Sequence, residues 1–231
     1  VDNANSHSSF IETVAPIRQS NLCAEIDLPT KPLNDFNDEE GEIALCTLSA
    51  INWGRIKSPE EFAKPCELAV RGLDALLTYQ DYPVKAAQNA TAGRRPLGVG
   101  IINLAYWMAK NGMTYTQPDL DMIDEYAEAW SYYLIKASAD LAEEQGACLW
   151  SNDTKYSKGL TPNQTYKQDV DELVPHKERM PWRELREQLK ANGIRNSTLM
   201  ALMPAETSAQ ISNATNGIEP PRSLVSVKQS K

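Results

Sequence analysis

Histidine is nearly missing from this 231-residue sequence, which has only His7 and His176. A metal centre built on three histidines is therefore excluded. Cysteine is scarce too. Cys23, Cys46, Cys66 and Cys148 include no Cys-x-x-Cys pair, so a zinc site is not expected. So few thiols suit a reducing cytoplasm, where they are catalytic, redox-active or simply buried. No apolar run approaches the roughly 20 residues of a membrane span. The start, Val1-Asp2-Asn3-Ala4-Asn5-Ser6, has neither the basic nor the apolar part of a secretory signal. It also lacks Met, so the sequence is expected to begin inside a longer reading frame or to have been processed. Without a signal, the Asn-x-Ser/Thr sites at Asn89, Asn152, Asn163, Asn196 and Asn213 read as chance. Positive charge is in deficit: 23 Lys and Arg against 31 Asp and Glu leave a net charge of −8. That balance argues against a direct nucleic-acid partner, since phosphate contacts depend on Lys and Arg clusters.

What is present can bury a core, because 42% of the residues are hydrophobic. Ser58-Pro59-Glu60-Glu61 is a helix start, with Ser as cap, Pro in the first turn and Glu three residues on. Phe62, Cys66, Val70, Leu73 and Leu77 follow at helical spacing, which makes Cys66 a core residue; Cys148 is left without a role. The clearest helix runs from Pro118 to Gln145 and stops at Gly146. Its stripe is Ile123, Tyr126, Trp130, Tyr133, Ala137 and Leu141, so Tyr133 reads as core and the adjacent Tyr132 as flank. Residues 151–180 read as a long connection with one short helix near Gln168–Leu173. A further helix spans Trp182–Lys190 and ends at Gly193. Buried strands are expected at Ile43–Leu48, carrying Cys46, and at Thr198–Met203, with a candidate final strand at Leu224–Val227. Residues 34–42 read as an acidic surface loop. Gly98-Val99-Gly100 lacks the third glycine of a dinucleotide fingerprint, with Asn103 in its place.

Two stretches carry chemistry. Asn21-Leu22-Cys23-Ala24-Glu25 puts an amide, a thiol and a carboxylate at alternate positions. On an extended backbone all three share one face, the thiol between a hydrogen-bonding amide and a general base. The plainer reading is a buried structural cysteine beside two surface polar groups. Pro204-Ala205-Glu206-Thr207-Ser208 follows a strand and opens a helix, where free backbone N–H groups and the helix dipole favour an anion. The plainer reading there is a helix cap.

Ser20-Asn21-Leu22-Cys23-Ala24-Glu25-Ile26-Asp27-Leu28-Pro29-Thr30 resembles the active-site segment of the large (alpha) subunit of aerobic, class I ribonucleoside-diphosphate reductases. Further matching blocks follow in the same order: Gly41 to Ala50, Asp74 to Leu77, Tyr79 to Pro83, Gly93 to Gly100, Arg195 to Leu199, Ala201 to Ser208 and Gln210 to Pro221. The resemblance implies an α/β fold, part of the second half of a ten-stranded barrel that encloses a finger loop, and helix-rich. Residues 1–231 are expected to be one partial barrel domain, with the effector domain, first half-barrel and C-terminal tail outside it.

The resemblance further implies that a thiyl radical on Cys23 abstracts the ribose 3′ hydrogen of a ribonucleoside diphosphate. Glu25 is implied as the base that takes the 3′-hydroxyl proton, Asn21 as the amide that holds the ribose, and Cys46 as one of two reducing cysteines. Glu206, Thr207 and Ser208 are implied to bind the diphosphate. No cofactor or metal is expected in this chain: the radical comes from a separate metal-containing small (beta) subunit. ATP and deoxynucleotide effectors bind elsewhere, and thioredoxin or glutaredoxin supplies electrons. The expected setting is cytoplasmic, without a membrane partner. Alternatives are a non-catalytic piece that acts by assembling with a partner chain, and another thiyl-radical enzyme of the same barrel fold.

Overall fold

The structure, a computed structural model, describes residues 7–36, 38–45, 47–166, 168–172, 177–223 and 225. Its long helices form where apolar residues recur every three to four positions. A 3-10 turn over Pro59–Phe62 leads into α1, Ala63–Tyr79. Proline suits that turn because its missing N–H would have no partner there. Phe62, Cys66, Val70, Leu73 and Leu77 are all buried, as their spacing predicts. α2 spans Lys85–Arg94 and ends in a left-handed Arg95; α3 spans Leu104–Lys110. α4, Leu120–Gln145, starts at Asp119, whose side chain accepts the Met122 N–H, and stops at Gly146. A short α5, Pro162–Thr165, and α6, Trp182–Asn192, follow, and α7 spans Glu206–Ile211.

α4 is buried on two sides, between α1 and α6. That reverses the expectation for its tyrosine pair. Tyr132 is the buried one, edge-on to Trp182 at 5.2 Å between ring centroids, and Tyr133 is only partly buried. One stripe could not show a second packing face. The connection after α4 is a chain of short turns over Ser151–Asp153, Lys155–Lys158, Pro162–Thr165 and Gln168–Glu172; Leu173 lies outside the described residues.

Strands are short. β1, Gln19–Ser20, pairs antiparallel with β2, Asp27–Leu28, as a hairpin. β3, Leu48–Asn52, pairs parallel with β4, Gly98–Ile102. The strand expected at Ile43–Leu48 thus begins where it was expected to end. Residues 43–45 run instead beside α2, where the Ile43 N–H donates to the Ala86 carbonyl at 3.1 Å. The strand expected at Thr198–Met203 is a partial one: Met200 bridges Val99 in parallel, flanked by Val99 N–H to the Leu199 carbonyl at 2.7 Å. Leu224–Val227 lies outside the described residues except for exposed Val225. β3, β4 and the 199–203 segment run the same way, so Trp53, Asn103 and Pro204 all leave at one end.

Two buried ion networks tie helices to these strands. Asp74 on α1 accepts from Arg95 Nε at 2.6 Å, Asn196 Nδ2 at 2.9 Å and Arg195 Nε at 3.2 Å. Glu42 accepts from Arg94 at 3.0 Å, and Arg94 also stacks over Trp150, 4.6 Å from the ring centroid. The described part of the loop over 34–42 is therefore surface only as far as Glu40, since Gly41 is buried and Glu42 is 4% exposed. Burial of a carboxylate is tolerated here because a guanidinium meets it.

Candidate active site

The Asn21–Glu25 stretch is a tight turn between β1 and β2 and is not extended. Pro29 and its neighbours end the second strand, and the chain reverses at residues 22–24 with Ala24 in the left-handed region at φ +60°. Asn21 organises the loop. Its Oδ1 accepts the Glu25 and Ile26 N–H groups, each at 3.0 Å, and its Nδ2 donates to Glu25 Oε1 at 2.6 Å. Its own N–H donates to the Ile26 carbonyl at 3.0 Å. Asn21 and Glu25 therefore do meet, but through a turn instead of a shared strand face. Cys23 sits at the tip, a free and exposed thiol beside fully exposed Leu22. Cys23 is thus not buried by any described residue of this chain. Cys66 and Cys148 are the buried ones, and burial pushes both thiols up, Cys148 to about 12. Cys46 lies outside the described residues.

The hairpin is seated on β4 by the absence of a side chain. A Cβ on Gly98 would stand 2.6 Å from Leu48 Cδ2, 2.8 Å from Ile26 Cδ1 and 3.0 Å from Ala201 Cβ. Gly98 thus lets Ile26, next to Glu25, lie against the sheet. A Cβ on Gly100 would meet the Met203 sulfur at 2.5 Å in the same way. The glycine pair that fails as a dinucleotide fingerprint is a packing device. On its other side Glu25 lines a cavity of about 290 Å³ shared with Lys155, Thr161, Thr198 and Met200. Burial there lowers the Lys155 pKa, against a raising effect of Glu12.

Glu206, Thr207 and Ser208 form the first turn of α7 and are exposed. No side chain caps α7, so Thr207 and Ser208 are not its N-cap. The turn follows the carboxyl end of the 199–203 segment, while Ile26 touches the first residue of β4. In parallel α/β sheets the carboxyl ends are where ligands bind. Two asparagines not expected at the site lie beside this turn: Asn216 Oδ1 accepts the Ala205 N–H at 2.8 Å, and Asn103 bonds the neighbouring Thr215. Asn103 was noted only as a missing glycine, although Asn tolerates the left-handed backbone that such a junction needs. Among the described residues no three His, Cys, Asp or Glu side chains cluster to hold a metal ion. Nor is any described helix long and apolar enough to cross a membrane.

Together these features make an α/β protein whose hairpin tip carries an exposed thiol two residues from an amide-held carboxylate. Over residues 1–231 the chain matches the family described as ribonucleotide reductase, barrel domain, and it belongs to that family. Among its relatives is the ribonucleoside-diphosphate reductase subunit alpha of Haemophilus influenzae, 57% identical over 100% of this chain and 31% of that protein. The ribonucleoside-diphosphate reductase 1 subunit alpha of Escherichia coli is 58% identical, again over all of this chain and 30% of the relative. The subunit alpha of Enterobacteria phage T4 is 48% identical with the same 30% share. The chain thus spans about a third of the length of the curated relatives it matches.

Proposed function

We propose that this chain is part of the catalytic subunit that reduces ribonucleoside diphosphates to 2′-deoxyribonucleoside diphosphates. The observation that carries the proposal is the hairpin tip, where Asn21 holds the Glu25 carboxylate at 2.6 Å two residues from the exposed Cys23 thiol. Cys23 serves as the thiyl radical that abstracts the ribose 3′ hydrogen. S–H and activated ribose C–H bonds are similar in strength, so the transfer is reversible. Glu25 takes the 3′-hydroxyl proton, and the 2′ hydroxyl leaves as water once a reducing-cysteine thiol has protonated it. Cys46 and a second cysteine outside residues 1–231 supply two electrons by closing a disulfide, which thioredoxin or glutaredoxin reopens. Glu206, Thr207 and Ser208 seat the diphosphate through backbone N–H groups and hydroxyls. The radical originates in a separate metal-containing small subunit, and nucleotide effectors bind outside this chain. The setting is the cytoplasm.

Glu25→Gln in the full catalytic subunit tests the base. The variant keeps the shape and a carbonyl oxygen that can accept from Asn21, but it cannot take a proton. Turnover is expected to fall by about 10²–10⁴, the range of positioned general bases, with KM within about threefold. Turnover within about tenfold of the native rate would return Glu25 to a purely loop-forming role.

A further inference from the structure

We infer that Asn103 is a positioning residue for the Pro204–Ser208 turn and, through Thr215 and the side chain of Asn216, holds it in register over the strand ends. The inference rests on the reading of that turn as the diphosphate seat.

Asn103 follows β4 directly and precedes α3, with φ +69°. A glycine would meet that backbone requirement equally well. What asparagine adds is its amide, and both ends of the amide are used. Nδ2 donates to Asn52 Oδ1 at 2.9 Å, at the end of β3. Oδ1 accepts the Thr215 N–H at 3.0 Å. The Asn103 N–H donates in turn to the Thr215 carbonyl at 2.8 Å, so Thr215 is held from both sides. The residue is 6% exposed, and a Cβ on Gly54 would lie 2.3 Å from Asn103 Nδ2, so glycine there leaves room for the amide.

The next residue completes the link. Asn216 Oδ1 accepts the Ala205 N–H at 2.8 Å. The far end of the 204–216 loop is thereby fixed to its near end, one residue before Glu206. Asn103 anchors the far end to the exits of β3 and β4. A shift at Asn103 is passed through Thr215 and Asn216 to the backbone N–H groups that face the ligand.

The test uses the full catalytic subunit with its radical-generating partner. Asn103→Gly keeps the backbone conformation and removes both side-chain bonds. KM for a ribonucleoside diphosphate is expected to rise about tenfold, the equivalent of one hydrogen bond, with kcat within about twofold. Amide exchange over residues 204–216 should accelerate while that of α1 stays unchanged, a pattern that general destabilisation would not give. Thr207→Val with Ser208→Ala is made in the native and Asn103→Gly backgrounds. Less than additive effects on KM place both on the same contacts. Should the Thr207/Ser208 pair leave KM unchanged, the diphosphate reading fails, and the exchange pattern still decides whether Asn103 holds the loop. Should that pair raise KM while Asn103→Gly changes neither KM nor exchange, the positioning role is overturned. If Asn103→Gly does not fold, Asn216→Ala removes the Ala205 bond alone, and unchanged KM and exchange in that variant overturn the inference equally.

Discussion

One amide, on Asn21, ties both ends of the hairpin loop: it binds two backbone N–H groups and the Glu25 carboxylate at once. A charged acceptor makes the third of these bonds the stronger kind. The three cysteines of the described residues divide by environment. Cys23 is exposed, whereas burial raises the pKa of Cys66 and of Cys148, the latter to about 12. Unfolded thiols ionise near about 8.5. The fold therefore favours the protonated thiols, and this contribution is fully present below about pH 8.5. It is lost as pH rises from there towards 12, at up to about 1.4 kcal/mol per pH unit for each group. Thermal stability is expected to be flat from about pH 6 to 8 and to decline above about pH 8.5. At about pH 8 iodoacetamide, followed by peptide mapping, should label Cys23 and spare Cys66 and Cys148 until the protein unfolds. Rapid labelling of Cys148 in the native protein would contradict the burial assigned to it.

At the scale of elements, the long helices α1 and α4 were legible, α2 was not, and of the strands only the 199–203 segment was met in part. α4 was expected at Pro118–Gln145 and runs over Leu120–Gln145, and α1 begins one 3-10 turn after its expected cap. Long amphipathic repeats fix such helices with many residues each. β1 and β2 have two residues apiece, too few for a period of two to show. The turn at Asn21 depends on side-chain-to-backbone bonds, which residue spacing does not reveal. The family blocks singled out the candidate site residues, but the turn that brings Asn21 and Glu25 together did not show in the sequence. Gly98 was legible only as a failed fingerprint, and its role emerges from what surrounds it. Gly98→Ala would force a methyl against Ile26, Leu48 and Ala201. It is expected to cost about 1–3 kcal/mol and to speed amide exchange across residues 19–28. Unchanged stability together with unchanged exchange would mean that the hairpin is held by other contacts.

For the molecule as a whole, the sheet is unfinished. β3 is paired with β4, no strand is paired with its other edge among the described residues, and Leu48 at its start is partly exposed. Open edges and apolar side chains favour association. The chain spans about a third of the length of its curated relatives. Residues 1–231 expressed alone are therefore expected to elute as associated species in size-exclusion chromatography and to reduce no ribonucleoside diphosphate. A monodisperse, cooperatively melting monomer would show that the exposed edge needs no partner.

The central claim is that the sulfur at the hairpin tip carries the reaction. The most direct measurement is deoxynucleotide formation by the full catalytic subunit bearing Cys23→Ser, assayed with its radical-generating partner. The substitution changes one exposed atom and leaves the Asn21–Glu25 bonds in place, so the melting temperature should match that of the native subunit. Turnover should fall to background, because a hydroxyl is not oxidised to the radical that takes up and returns a hydrogen atom, as a thiol is. Appreciable deoxynucleotide formation by the serine variant would contradict the assignment of Cys23 and, with it, the account of the hairpin as the reactive centre.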